Sequence, residues 1–199
     1  MSATKNNSRK VFIAITGASG SIYAERLLEY LLTFLPRVYL VITASGKQVI
    51  THELSNSLLK RVMERGTDKI RLFANDDFFA PFASGSNAPS DMVVIPCSMG
   101  TLSRVSYGAS TNLLERVADV MLKQKKRLII VPRETPLSVL HLENMLRLAQ
   151  AGAHIVPACP AFYHKARTLN DAVEFVVSRV LDCLELEHNL TKRWNSRMV

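Results

Sequence analysis

The fold is decided by the stretch Val11–Gly20, VFIAITGASG. Its first six residues form an apolar, mostly β-branched run that stops at Gly17, a pattern typical of a strand buried on both faces. The small residues that follow lead into Ser21–Leu35, where apolar side chains recur at helical spacing until Pro36. A buried strand, a small-residue turn and an amphipathic helix predict the first half of a strand–helix–strand unit.

The same alternation continues along the rest of the chain. Further strands are predicted at 38–43, 70–73, 91–96, 127–132 and 154–156. Further helices are predicted at 45–53, with Ser45 as N-cap, and at 57–65, 99–107, 112–123, 139–150 and 171–186. This alternation predicts an α/β fold, namely a three-layer α/β/α, Rossmann-like (flavodoxin-like) sandwich with a mostly parallel sheet. We expect one domain over residues 1–199, with residues 1–10 as a frayed tail.

Composition narrows the classes of function. The chain carries 25 Lys and Arg against 17 Asp and Glu, and the net charge of +8 favours anionic ligands such as phosphorylated small molecules or nucleic acid. The 3 cysteines are widely spaced, which argues against a disulfide framework and suits a reducing, cytoplasmic compartment. The histidines lack the spacing of a catalytic zinc site, so no metal is expected. No apolar run reaches the roughly 18 residues of a membrane span, and the N-terminus lacks the apolar core of a secretory signal.

Small and polar residues follow the predicted strands at their carboxyl ends. The carboxyl ends of parallel strands share one edge of a sheet, and ligands bind there, where the strand order reverses. The segments concerned are GASG at 17–20, TAS at 43–45, PCSMGT at 96–101 and PRET at 132–135. We expect these turns to converge on one crevice.

Each turn has a functional and a structural interpretation. GASG could admit an anion at a helix N-terminus or be a tight turn only, and it matches neither GxGxxG nor a Walker loop. Ser98 to Thr101 could bind phosphate or only cap a helix. Arg133 and Glu134 could clamp an anion and move protons, or form an ion pair at the rim of the sheet. Cys97 beside them is expected to be a small buried hydrophobe.

Two further segments stand out. Residues 74–90 form a long stretch rich in Asp, Asn, Ser, Gly and Pro with three phenylalanines, which is typical of a functional or mobile loop. The basic run 123–127 usually indicates a solvated face, although one member could turn inward to a phosphate.

Taken in order, these motifs resemble those of the UbiX-type flavin prenyltransferases. The resemblance covers Val11 to Trp194 and rests on TGASG at 16–20, ASGS at 83–86, PCS at 96–98 with Thr101-Leu102, ADV at 118–120 with Leu122-Lys123, VPRETP at 131–136, His141-Leu142 and PAFYH at 160–164. It implies transfer of a dimethylallyl group from dimethylallyl monophosphate to N5 and C6 of reduced FMN, without a metal. It also implies a homo-oligomer, a dodecamer with sites between subunits, and delivery of prenylated FMN to a UbiD-type decarboxylase.

The resemblance also implies roles for individual residues. FMN would be held by Gly17, Ala18, Ser19, Ser45, Ser98, Met99, Gly100, Thr101 and Arg133. The prenyl phosphate would be held by Lys123, Tyr163 and Arg179, with Arg116 as a helper from the subunit interface. Proton handling would fall to Ser19, Glu53 and Glu134. Phe78 stands where relatives often have Trp, and with Trp194, in a C-terminal segment 187–199 that closes over the site, it would shield the prenyl group.

Three other interpretations remain open from the sequence. The first is an FMN-dependent oxidative decarboxylase acting on a cysteine-ended substrate, although the catalytic His and Asn-bearing motif of that group is not evident. The second is a non-catalytic FMN-binding protein. The third is a basic nucleic-acid-binding module, for which the expected cluster of exposed aromatic and basic residues is not visible; our prediction is that neither nucleic acid nor membrane is a partner.

Overall fold

The computed structural model describes residues 9–55, 57–163 and 165–193. Their six strands form one parallel sheet in the order β3-β2-β1-β4-β5-β6. The strands are β1 Val11–Ile15, β2 Val38–Ile42, β3 Ile70–Phe73, β4 Asp91–Cys97, β5 Arg127–Pro132 and β6 His154–Ile155. The helices are α1 Ser21–Phe34, α2 Ala44–Glu53, α3 Leu58–Arg65, α4 Met99–Ser106, α5 Leu113–Lys123, α6 Val139–Gln150 and α7 Leu169–Cys183. The predicted parallel α/β architecture is confirmed.

Two apolar cores lie on opposite faces of the sheet. In β1 the side chains of Val11, Ile13 and Ile15 join the core formed with α1, α3 and α7, whereas Phe12 and Ala14 join the core formed with α4 and α5. Every residue of β1 is fully buried. Alternate side chains of a strand point to opposite faces, so a continuous apolar run is what a sheet covered by helices on both sides requires.

The strand order reverses beside β1. The chain passes from β1 through β2 to β3 on one side and then crosses to β4 on the other side of β1. The turns that follow β1 and β4 therefore diverge at their shared edge and leave a crevice, which is the usual ligand position in such sheets.

Several predicted helix boundaries were wrong, among them the end of the closing helix, which lies at Cys183 and not at Leu186. Ser45 does not cap α2: the cap is Thr43, whose side chain accepts a hydrogen bond from the Gly46 amide at 3.0 Å. The closing helix begins at Leu169 and not at Asp171, because the Thr168 hydroxyl accepts from the Asp171 amide and the Asp171 carboxylate accepts from the Thr168 amide. This reciprocal capping fixes the first turn two residues earlier than the apolar pattern indicated.

The start of the described chain is attached to the sheet. Arg9, which the sequence placed in the tail, forms an ion pair at 2.7 Å with the nearly buried carboxylate of Asp91. Lys10 donates to the Asn87 side chain at 3.0 Å. In the part of the chain that the structure describes, no helix has the length and apolar character needed to span a bilayer.

Candidate functional site

Thr16 joins the two turns that border the crevice. Its hydroxyl donates to the Pro96 carbonyl at 2.7 Å and accepts from the Ser98 amide at 2.8 Å. One buried side chain therefore fixes the end of β1 against the end of β4, and it holds the small-residue turn beside the N-terminus of α4.

The turn after β1 packs directly on the start of α2. A Cβ atom built on Gly17 would lie 2.5 Å from the Ser45 hydroxyl oxygen, so only glycine fits there. The Ser45 hydroxyl in turn lies 3.2 Å from that of Thr43. The start of α2 thus presents two hydroxyl groups and its first amide groups toward the same crevice as α4.

The N-terminus of α4 forms the other wall. Ser98 caps it by accepting from the Thr101 amide at 3.4 Å and donates its own hydroxyl to Thr101 at 3.1 Å, so the predicted capping role is confirmed. The first two helix residues, Met99 and Gly100, have amide groups without intrahelical carbonyl partners by the geometry of a helix start. Gly100 is exposed, and the nearest atom to a Cβ built on it would be an Arg104 nitrogen at 3.4 Å.

The N-terminus of α1 is already occupied by a carboxylate. Glu53, the last residue of α2, accepts from the Gly20 amide at 3.0 Å and from the Ser21 amide at 2.8 Å. Burial alone would raise the pKa of the Glu53 carboxyl, but hydrogen bonds from Ser19, Ser21 and Gly20 hold that pKa below its ordinary value. A ligand phosphate is therefore excluded from α1 and directed to the starts of α2 and α4.

Arg133 closes the crevice from the end of β5. Its Nε donates to the Ser19 carbonyl at 3.0 Å. Among the ion pairs of the described residues none joins Arg133 to Glu134, so the rim ion pair that was one of the two interpretations is not formed. Glu134 is exposed and accepts from the Thr135 amide at 2.9 Å. The guanidinium is thus held over the turn after β1, with its positive charge in the crevice.

Sequence reasoning missed Tyr23, which lies near both Arg133 and Cys159. Tyr23 and Cys159 lie close enough to interact electrostatically: burial and then the Cys159 thiol raise the pKa of the Tyr23 hydroxyl, while Arg133 lowers it. The sequence offered little evidence for this contact, because Tyr23 lies one helical turn after the GASG turn at 17–20 and Cys159 follows a different strand.

Tyr163 and Arg179 gather around one aromatic ring. Phe175 of α7 meets the Tyr163 ring edge to face at 5.9 Å, and the Arg179 guanidinium lies 5.3 Å from the centre of the Phe175 ring. Two of the predicted phosphate ligands are therefore neighbours, as the resemblance implied. Phe175 was not among the predicted site residues, although it stands at helical spacing four residues before Arg179.

Two further predicted ligands, Lys123 and Arg116, lie away from the crevice of their own chain. Lys123 ends α5 and precedes β5, which places it at the amino edge of the sheet, opposite Arg133. Strands rise about 3.3 Å per residue, so the two ends of β5 are roughly 16 Å apart. Arg116 donates to the Ala83 carbonyl at 2.9 Å and pairs with Asp119 at 3.0 Å, both within the layer of α5. Phe78, after β3, is 45% exposed, and Trp194 lies outside the described residues.

The crevice matches the needs of a flavin mononucleotide. It offers helix-start amides and hydroxyls on α2 and α4 for a phosphate, a guanidinium for negative charge, and a turn where a glycine is required by close packing. Among the described residues, no three His, Cys, Asp or Glu side chains cluster as metal ligands. Cys97 lies fully buried beneath the crevice, and burial raises the pKa of its thiol to about 12, so it is not a nucleophile.

The fold and the crevice define an α/β protein that binds a phosphate-bearing ligand where the strand order reverses. A family model described as Flavoprotein matches residues 1–181. The flavin prenyltransferase UbiX of Methanocaldococcus jannaschii is 49% identical over 187 residues, which cover 94% of this chain and 99% of that protein. The chain therefore belongs to the flavoprotein family and, within it, to the UbiX flavin prenyltransferases.

Solved structures show the same relationship. The chain is similar to AnUbiX (PadA1), whose crystal structure is in complex with FMN and dimethylallyl pyrophosphate, with a TM-score of 0.87, 36% identity and coverage of 94% of this chain and 98% of that chain. It is also similar to a dodecameric FMN-dependent UbiX-like decarboxylase from Escherichia coli O157:H7, with a TM-score of 0.87, 38% identity and coverage of 94% and 100%.

Proposed function

We propose that this protein transfers a dimethylallyl group from dimethylallyl monophosphate to N5 and C6 of reduced FMN, and that a UbiD-type decarboxylase receives the prenylated FMN. The observation that carries the proposal is the crevice itself, where the Arg133 guanidinium is held at 3.0 Å over the turn after β1 and the Arg133 amide donates to the Cys97 carbonyl at 3.3 Å, beside the cap of α4. Family membership and the FMN and dimethylallyl pyrophosphate bound to AnUbiX support it.

The FMN site would be built from four segments of one chain. Backbone and hydroxyl groups of residues 17–19, Ser45 and residues 98–101 would hold the flavin and its phosphate, and Arg133 would neutralise negative charge beside them. When bound and reduced, FMN supplies the electron-rich atoms that accept the prenyl group. A cation beside the ring system favours the anionic form of a reduced flavin, which strengthens it as a nucleophile.

Proton transfer would run through Ser19 and Glu53. The Ser19 side chain hydrogen-bonds to the Glu53 carboxylate, and the lowered pKa keeps that carboxylate ionised, so that it would accept the hydrogen bond from Ser19 and pass a proton on without retaining it. Glu134, exposed at the mouth of the crevice, would protonate the departing phosphate.

The phosphate of the donor would be gripped by side chains from more than one chain. Tyr163 and Arg179 flank Phe175, and their hydroxyl and guanidinium groups suit a phosphate dianion. Lys123 and Arg116 would come from a neighbouring copy, because α5 carries Lys123 away from its own crevice. The allylic fragment develops positive charge as the C–O bond breaks, and Phe78 and Trp194 would shield it from water.

Such a shared site requires a homo-oligomer, for which we propose the dodecamer seen in the Escherichia coli relative. Helix α6 supports assembly, because apolar side chains on its outer face are 52–70% exposed, namely Val139, Leu140, Leu142 and Leu146. An exposed apolar stripe of this kind is typical of an interface between subunits. The three described thiols are free, which suits the reducing cytoplasm that we propose as the location.

The direct test is an anaerobic incubation with reduced FMN and dimethylallyl monophosphate, followed by mass spectrometry of the flavin. We expect a flavin that is heavier by one prenyl unit. Parallel incubation with the diphosphate determines which donor is preferred. The proposal is wrong if neither donor gives this product and the flavin is instead reduced by a cysteine-ended substrate, or if FMN stays bound unchanged in a single turnover.

A further inference from the structure

Asp182 of α7 is the centre of a charged cluster beside the predicted phosphate cation. Its carboxylate forms an ion pair with Arg179 Nη2 at 3.1 Å and accepts hydrogen bonds from His188 Nε2 at 3.0 Å and from Arg193 Nη2 at 2.9 Å. The His188 side chain is fully buried, so this contact is protected from water. Burial would raise the pKa of the Asp182 carboxyl, but His188, Arg179 and Arg193 hold it below its ordinary value.

The other edge of the Arg179 guanidinium is tied to the same segment of chain. Arg179 Nε donates to the Ser178 hydroxyl at 3.3 Å, and the Thr191 hydroxyl donates to the same Ser178 oxygen at 3.2 Å. The segment Leu186–Arg193 is also docked on α1, because the Tyr30 hydroxyl donates to the Glu187 carbonyl at 3.2 Å. Both ends of the Arg179 guanidinium therefore contact side chains, those of Asp182 and Ser178, that also bind residues of the segment Leu186–Arg193.

We infer that Asp182 is a positioning residue that orients the Arg179 guanidinium toward the donor phosphate and couples this orientation to the docking of Leu186–Arg193. The inference rests on the proposed function, in which Arg179 is a phosphate ligand. The face of the guanidinium rests on Phe175 and two of its nitrogens are held, while 35% of the side chain remains exposed to meet an anion. Coupling between two sites is reciprocal, so phosphate binding at Arg179 also alters how firmly the segment is docked.

Asp182→Asn separates positioning from simple charge neutralisation. If Asp182 were only a counter-charge, its removal would tighten donor binding, because a negative charge near the phosphate would be lost. Positioning predicts the reverse: the KM for dimethylallyl monophosphate rises on the order of tenfold, while kcat at saturation changes less than about threefold and FMN affinity is unchanged. The matched control is Glu29→Gln, which removes the same charge from an exposed ion pair with Arg26 on α1.

His188 provides a second variant pair that leaves Arg179 and Asp182 intact. We expect His188→Leu to raise the KM in the same direction, whereas His188→Gln, whose amide nitrogen can replace Nε2 as the donor, restores the wild-type value. If His188 acted through packing alone, the hydrogen-bonding capacity of the new side chain would not matter, and both variants would raise the KM equally. Equal effects of His188→Leu and His188→Gln would therefore overturn the inference.

A readout independent of turnover comes from Trp194, the only tryptophan of the chain, which directly follows Arg193 in sequence. In protein loaded with oxidised FMN, we expect titration with dimethylallyl monophosphate to change its emission, and Asp182→Asn to shift the midpoint to roughly tenfold higher concentration. An unchanged or lower midpoint overturns the inference. Failure of the proposed function is distinguishable, since the wild-type protein would then give neither a prenylated flavin nor any response to the donor.

Discussion

At the scale of single residues, close contacts decide which positions admit no substitution. Gly17 belongs to the small-residue motif of the sequence, and the structure gives the reason why glycine is required there: the space that a side chain would need is filled by Ser45. The motif predicted that small residues belong here, but it could not identify the obstructing atom, because Ser45 is brought from another strand–helix turn. Long-range contacts of this kind are set by the packing of whole elements and leave no local pattern.

Gly17→Ala is therefore expected to displace the start of α2. The added Cβ would meet the Ser45 oxygen at 2.5 Å and its Cβ at 2.6 Å, and overpacking of this kind costs about 1–3 kcal/mol. We expect a lower melting temperature and weaker FMN binding. Adding Ser45→Gly should restore the melting temperature because it removes both obstructing atoms, whereas Ser45→Ala should not; equal rescue by the two would contradict the steric explanation.

Glu53 gives a prediction with a defined pH dependence. Its folded pKa lies below the ordinary value, so the stabilisation it provides is present above the ordinary glutamate pKa of about 4.3 and is lost as pH falls through the lower folded pKa. Glu53→Gln should lower the melting temperature at pH 7, by the loss of a capping interaction worth about 1 kcal/mol. The difference between the two melting temperatures should begin to shrink below about pH 4.3 and vanish only below the folded pKa; a difference that stays constant well below that pH would refute the assignment.

At the scale of helices and strands, the apolar pattern predicted each element of the sheet and missed the polar contacts that end helices. Strands β3 and β5 begin and end where the pattern placed them, because their ends coincide with a change from apolar to polar residues. Helices α2 and α7 differ at their starts, because the capping side chain is chosen by backbone geometry and several nearby residues were chemically able to cap. The burial of Glu115 in α5 could not be predicted from the sequence either, because its polar contacts also depend on the folded backbone.

Glu115 joins α4 to α5 and yields a prediction at this scale. Its fully buried carboxylate pairs with Arg104 and accepts from the Thr111 amide at 2.9 Å and hydroxyl at 2.7 Å. Glu115→Leu should destabilise the fold by about 1–3 kcal/mol, because Thr111 and Arg104 lose their partner. Combining it with Arg104→Met should cost less than the sum of the two single changes, as measured by thermal unfolding; simple additivity would show that the pair is not coupled.

At the scale of the whole molecule, the topology separates the predicted site residues into two groups. The sequence alone predicted both groups from family motifs, but it could not show that they stand at opposite edges of one sheet. Helix α5 begins near the loop that follows β3, since the Leu113 amide donates to the Asn75 carbonyl at 2.7 Å, and it ends at the opposite edge. Eleven helical residues span about 16 Å, which exceeds the reach of a lysine side chain. If Lys123 is a ligand of the donor phosphate, as we propose, a complete site needs two copies of the chain.

Mixed oligomers test this consequence. Lys123→Ala and Glu134→Gln should each abolish most of the prenyl transfer, because each variant lacks one half of every shared site. When the two variants are co-expressed and assemble at random, about a quarter of the sites combine the intact halves of two neighbours, and activity should recover to roughly that fraction of wild type. Co-expression of Lys123→Ala with Arg116→Ala, which damage the same half, should give no recovery. If the first mixture also stays inactive while its oligomers form normally, Lys123 and Glu134 belong to the same copy and the shared site is disproved.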